Sequence, residues 1–159
     1  MAGVRGALKA VYIRNEVMET KRYKIGYTDG VYDLFHVGHL NMIETAKKQC
    51  EYLIVGVHSD KVVSQYKHRC PVIPEDERAR IIGAVRGVDR VVINEVRDKM
   101  TLLERYHFNV IFIGDDWKGT ERWNYFETVL GERGVDVIYV PYTRGISTTD
   151  IKKKILNLF

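Results

Sequence analysis

Cysteine is scarce in this chain. Cys50 and Cys70 are the only two among 159 residues, and they form no CxxC pair. A disulfide scaffold or a structural zinc knuckle is therefore not expected, and a reduced, cytoplasmic setting is the default. No apolar run approaches the length of a membrane span. Residues 1–22 hold no uninterrupted signal-peptide core, because Arg5, Lys9 and Arg14 break it. This extension reads as a short amphipathic helix, a loose arm or a piece added to the domain. Repeats, low-complexity tracts and linkers are also missing. Charge of neither sign dominates: 25 Lys and Arg stand against 21 Asp and Glu. That balance fits an anionic small substrate as well as weak nucleic-acid contact, and a mixed solvated surface accounts for most of it. No nucleic-acid partner and no transmembrane segment are expected.

What is present suits one domain. The length allows a single core, and 45% hydrophobic residues supply it. Short apolar blocks alternate with blocks of helical spacing. Strands are predicted over 23–28, 52–57, 90–93, 110–114 and 135–140, and helices over 37–49, 75–85, 99–106, 123–133 and 147–157. YLIVGV, at 52–57, is continuously apolar, as in a strand covered on both faces. Strand–helix alternation predicts an α/β domain over 23–159, with a parallel sheet of five strands and helices on both faces. Ligands of such sheets bind beyond the carboxyl ends of the strands. Three loops are thereby directed to one crevice: those after the first, fourth and fifth strands.

The first of these loops carries DGVYDLFHVGH, residues 29–39. His36 and His39 are three apart at a helix start, so both rings can face one side. The free N–H groups and positive dipole end of a helix suit an anion, and Gly38 admits a ligand close to the backbone. One buried and one surface histidine is the plain alternative, but the pairing at this position favours phosphate binding. A three-ligand metal site of Asp33, His36 and His39 ranks below it, and no residue is assigned as a metal ligand. In the last loop, Ser147 and Asp150 form a capping-box-like pair. The hydroxyls of Ser147, Thr148 and Thr149 can cradle a phosphate there. Two such helix starts aimed at one crevice suit a polyphosphate. In GDDWKG, Asp115 and Asp116 can hold a metal–phosphate complex or accept from a base or ribose, and Trp117 can stack, although a charged turn explains them equally. Lys67, Arg78 and Arg86, on a loop and helix after the second strand, are candidates to neutralise a triphosphate.

Together these residues resemble the nucleotidyltransferase superfamily. DGVYDLFHVGH is similar to its HxGH signature and ISTTD to its second signature, and GDDWKG resembles the form found in glycerol-3-phosphate cytidylyltransferases. The likeness runs from about Tyr23 to the C-terminus. It implies a Rossmann-like domain, a homodimer, that transfers CMP from CTP to a small alcohol phosphate and releases pyrophosphate, with Mg²⁺. It also implies that His36 and His39 contact the triphosphate, with Gly30, Val31, Tyr32, Asp33 and Gly38 in the same nucleotide-binding signature. Lys67 matches a lysine after the second strand. Arg86 matches an arginine near the nucleotide and the dimer contact. Gly114, Asp115, Asp116 and Trp117 match the segment lining the base pocket. Gly145, Ile146, Ser147, Thr148 and Thr149 match the phosphate-binding helix start.

The sequence also departs from that pattern. Where the family usually reads R-T-E-G-I-S-T-T, this chain has Tyr142 at the arginine position and Arg144 at the glutamate position. Arg144 is the candidate to supply the missing charge from two residues on. Val31 stands where glycerol-phosphate members often carry threonine, and DGVYDLF is nearer to choline- and ethanolamine-type members. Glycerol 3-phosphate, ethanolamine phosphate and choline phosphate therefore all stay open as acceptors. An adenylyltransferase of the same superfamily and a non-catalytic nucleotide-binding module are the competing readings.

Overall fold

The computed structural model of the chain describes residues 21–158. The extension 1–22 lies outside that range except for Lys21 and Arg22. Five strands, β1 (Tyr23–Gly30), β2 (Cys50–His58), β3 (Arg90–Asn94), β4 (Val110–Gly114) and β5 (Asp136–Val140), form one sheet. Its order is β3-β2-β1-β4-β5 and every pairing is parallel. Six helices connect or follow the strands: α1 (Val37–Gln49), α2 (Asp60–Lys67), α3 (Glu75–Gly83), α4 (Lys99–Tyr106), α5 (Glu121–Gly131) and α6 (Thr148–Leu156). The Rossmann-like α/β expectation is met.

Alternation along β2 builds both layers. Leu53, Val55 and Val57 pack with Ile43 and Ala46 of α1 and Ile82 of α3. Ile54 faces the other way, with Leu102 of α4 and Phe126 and Leu130 of α5. Burying each such side chain fully contributes about 1.5–3 kcal/mol, so both faces of the sheet help hold the strands. Gly56 is required by close approach: a Cβ there would collide with the Asn94 side chain and the Tyr27 hydroxyl, which meet in a 2.6 Å hydrogen bond beneath the sheet's carboxyl edge.

Helix ends follow local chemistry. Ser59, Asp98, Thr120 and Ser147 each accept a backbone N–H at the start of α2, α4, α5 and α6. Thr120 is why α5 starts at Glu121, two residues before the predicted start. Ala84 and Val85 donate to Ile81 and Ile82 in a tightened turn, which ends α3 at Gly83 instead of Val85. Helix α2 replaces a predicted loop. It is short and its buried pair, Val62 and Val63, is β-branched, a weak helical signal by composition.

The chain runs outward from β1 to β2 and β3 on one side and to β4 and β5 on the other. Beyond the carboxyl ends of β1 and β4 the connections diverge and leave a crevice.

Candidate active site

The loop from β1 to α1 is held in an unusual backbone. Tyr32 and Leu34 have φ of 56° and 49°, a left-handed conformation that side-chain-bearing residues rarely adopt. Strain of this kind persists only where its surroundings fix it, and it gathers at functional sites. Here the surroundings are specific. The Asp33 carboxylate accepts the backbone N–H of Val72 at 3.0 Å and of Ile73 at 3.0 Å, and Lys152 lies 3.0 Å away. Burial opposes ionisation of Asp33, but these donors prevail and hold its carboxyl below the usual carboxylate range.

His36 and His39 follow. Their rings stack, with centroids 3.8 Å apart. His36 Nδ1 accepts the Gly38 N–H at 3.1 Å, and His39 Nδ1 accepts the His36 N–H at 3.4 Å. Both Nδ1 atoms are thereby acceptors, which assigns the neutral rings' protons to Nε2. A Cβ on Gly38 would come within 2.8 Å of the His36 ring, so the ring can fold over this residue only because it is glycine. Burial lowers the pKa of His36. It pushes His39 down to about 4, with help from His36 and Lys67 and against Asp33. Near neutral pH the site thus offers two uncharged N–H donors at the start of α1.

Helix α6 arrives at the same place. The Thr148 hydroxyl donates to the Asp33 carbonyl at 2.9 Å, and Asn41 of α1 donates to Thr143 at 3.1 Å. Ser147 caps the helix through the Asp150 N–H at 3.0 Å and donates to the Asp150 carboxylate at 2.7 Å. The two helix starts read from the sequence therefore converge.

They border a cavity of about 690 Å³, within the usual range for a small-molecule site. Of the predicted residues, Gly30, Val31, Tyr32, Asp33, His36, Gly38, His39, Lys67, Gly114, Asp116, Trp117 and Ile146 to Thr149 line it. Others do not. Asp115 accepts the Tyr142 N–H at 3.0 Å and fixes the loop after β5. Arg144 and Gly145 are exposed outside the cavity, whereas Tyr142 lines it. Arg144 thus does not fill the place of the missing arginine in this structure. Arg86 is exposed in the turn that precedes β3, at the sheet's amino edge, because only segments following a strand reach the crevice.

Arg78 is a correction of a different kind. Its side chain is 0% exposed. Nε donates to the Ile73 carbonyl at 2.8 Å, Nη1 to the Val31 carbonyl at 2.5 Å and the His58 carbonyl at 2.9 Å, and Nη2 to Asp60 at 2.5 Å. With its donors committed to protein oxygens, it ties α3 to the strained loop and to the end of β2 instead of facing a phosphate.

The cavity's charge comes largely from residues that sequence reasoning missed. Besides Lys67, it is lined by Arg69, Arg97, Lys99, Arg122 and Lys152, against Asp29, Asp33 and Asp116. The cations crowd one another. The pKa of Lys67 is lowered by burial and then by Arg69 and Lys152, and that of Arg97 by burial and then by Arg122. Such a set invites a polyanion. Applying the carboxyl-edge rule to the third strand as well would have found Arg97 and Lys99, which directly follow it. No comparable signal marks Arg122 or Lys152.

Residues 27–154 match the model of the cytidylyltransferase-like family. The chain belongs to that family. Among the curated members it is 34% identical over 132 residues to the glycerol-3-phosphate cytidylyltransferase of Bacillus spizizenii, covering 82% of this chain and 96% of that protein. It is 36% identical over 147 residues to the ethanolamine-phosphate cytidylyltransferase of Dictyostelium discoideum, covering 84% and 38%. It is 35% identical over 137 residues to the bifunctional protein HldE of Nitrobacter hamburgensis, of which it spans 27%. In structure it resembles a lipopolysaccharide core biosynthesis protein from Thermoplasma volcanium, with a TM-score of 0.63 at 24% identity, covering 76% of this chain and 97% of that one. That likeness shows the shared fold.

The neutral histidines of this family member make a pH prediction. In the unfolded chain a histidine titrates near 6.5, and His39 in the folded protein near 4. Between those values the unfolded state binds more protons, so stability falls as pH drops from 6.5 to 4. A polyphosphate bound beside the two rings would raise their pKa, and the rings would then take up protons on binding. The melting temperature of the free protein is expected to fall across that pH range, and the increment produced by nucleotide to grow. His39→Asn is expected to flatten both trends in a thermal-shift titration.

Proposed function

We propose that this chain transfers CMP from CTP to a small alcohol phosphate and releases pyrophosphate. The observation that carries the reading is the convergence, on one cavity, of two helix starts, two neutral imidazoles and a crowded set of cations. The relatives named for cytidylyl transfer, one of them matched over nearly its whole length, supply the nucleotide and the acceptor class.

In this mechanism the triphosphate lies along the starts of α1 and α6. Nε2–H groups of His36 and His39 donate to its oxygens, and the hydroxyls of the α6 start hold the tail. An oxygen of the acceptor's phosphate attacks the α-phosphorus in line, and the bond to the pyrophosphate oxygen breaks. No covalent protein intermediate is needed. The protein's work is to hold two mutually repelling anions in line and to stabilise the charge that develops on the transferring group. Lys67, Arg69 and Lys152 offset that repulsion from the rim. Among the described residues no three His, Cys, Asp or Glu side chains gather as a metal site. Mg²⁺ brought by the nucleotide's phosphates would have Asp116, which lines the cavity, as the residue placed to hold the metal–phosphate complex. It would neutralise phosphate charge.

The test is pyrophosphate release from CTP and from ATP with a panel of phosphorylated alcohols. CTP is expected to be the better donor by at least tenfold in kcat/KM. A preference for ATP would reassign the base. Tight nucleotide binding with no release across the panel would leave a binding module.

A further inference from the structure

The floor of the cavity is not used by the chemistry above. Asp29 ends up there, near the carboxyl end of β1, with its side chain 3% exposed and Lys99 Nζ 2.5 Å from Oδ2. Burial opposes the charge on Asp29, and the ammonium of Lys99 and the ring of His58 beside it hold the carboxyl well below its usual range. His58, 7% exposed, places Nε2 3.5 Å from the same oxygen. Nδ1 of His58 lies 3.2 Å from the Tyr66 hydroxyl. The long approach to Asp29 is the only polar contact of His58 Nε2 among the described residues, and it is too loose to count as a full hydrogen bond. His58 lines the cavity, so a hydroxyl there could pair with the ring better than Asp29 does.

The aromatic faces of the floor are also taken. The Arg97 guanidinium sits 3.7 Å over the Tyr66 ring and Lys99 Nζ lies 5.9 Å from Trp123, the two rings of the floor, whereas Trp117 and Tyr142 line the cavity away from these cations. A carboxylate and an open aromatic face are what a substrate ammonium requires. Here the protein's own cations occupy both, and an ammonium brought to this floor would meet Arg97, Lys99 and Arg122 at close range.

We propose that Lys99 fills the ammonium position and that the acceptor is an uncharged polyol or sugar phosphate, with a hydroxyl received by His58 Nε2 and the free N–H groups of Lys99. Choline and ethanolamine phosphates are excluded by the same cations. This inference rests on the acceptor being an alcohol phosphate, as proposed above.

The test compares glycerol 3-phosphate and a hexose phosphate with choline phosphate and ethanolamine phosphate. It measures both turnover with CTP and direct calorimetric binding to the full chain saturated with CMP. The polyol phosphates are expected to win by a hundredfold or more in kcat/KM and to be the ones that bind. His58→Phe, which keeps the ring but removes both nitrogens, is expected to raise KM for the polyol phosphate about tenfold, the worth of one hydrogen bond. KM for CTP should change little, and the melting temperature should fall modestly as the Tyr66 hydroxyl and Asp29 lose the ring's nitrogens. Lys99→Met is expected to narrow the discrimination against ethanolamine phosphate. Better binding or turnover of either aminoalcohol phosphate by the unaltered protein overturns the inference, as does an unchanged acceptor KM in His58→Phe. If no acceptor releases pyrophosphate, the transferase reading fails, and the binding comparison still decides the selectivity.

Discussion

His36→Ala and His39→Ala are each expected to lower kcat/KM for pyrophosphate release by about 10²–10³, the usual effect of losing one donor that stabilises transition-state charge. Most of the loss should fall on kcat, because the donors act on charge that grows during the reaction. His36 has a second task that must be separated from the first. Its Nδ1 caps α1 through the Gly38 N–H, and losing a cap costs about 0.5–2 kcal/mol. Asparagine caps well but lacks a donor at the Nε2 position. His36→Asn is therefore expected to restore the melting temperature and leave the rate low. The rings are stacked, and in the proposed mechanism they serve one set of phosphate oxygens, so the double variant should lose less than the product of the two single losses. Turnover within tenfold of the unaltered protein in both His36→Asn and His39→Ala would remove the histidines from the chemistry.

Arg78→Met is expected to destabilise the fold by about 3–5 kcal/mol. The guanidinium satisfies three backbone carbonyls and Asp60, and buried acceptors that lose a donor cost about 1–3 kcal/mol apiece. Some of this is recovered, since Asp60 is partly solvated. A domain's total stability is about 5–15 kcal/mol, so the loss would show as a melting-temperature drop of roughly 10 °C or more. Arg78→Lys should rescue little of it, because one ammonium cannot span four oxygens that a planar fork reaches. The alternative role, a triphosphate ligand, predicts the opposite pattern: an unchanged melting temperature with weakened CTP binding. Thermal denaturation and nucleotide titration of the same variant decide between the two.

The contrast between Arg78 and Arg97 shows where sequence reasoning stops. Both are arginines near the carboxyl edge of the sheet. One is consumed by backbone carbonyls and the other faces the cavity, a difference made by residues far apart in the chain. Val31 and His58 reach Arg78 only after the sheet and α3 have assembled. Likewise Asp29 reads as a strand-end acid, and its pairing with Lys99 crosses 70 positions. Arg144 looked able to replace a missing arginine by proximity along the chain, yet the turn around Gly145 leaves it exposed.

By itself, the sequence determined the strand–helix alternation, the two helix starts and the paired imidazoles. Each is written in periodicity or capping chemistry within about a dozen neighbouring residues, a range over which backbone sterics and burial act without knowledge of the whole. Tertiary structure alone decided which cations face the cavity and which are spent inside the protein, and how the floor of the cavity is charged. Those outcomes depend on competition among buried polar groups for partners, and that competition begins only when distant segments have been brought within a few ångströms.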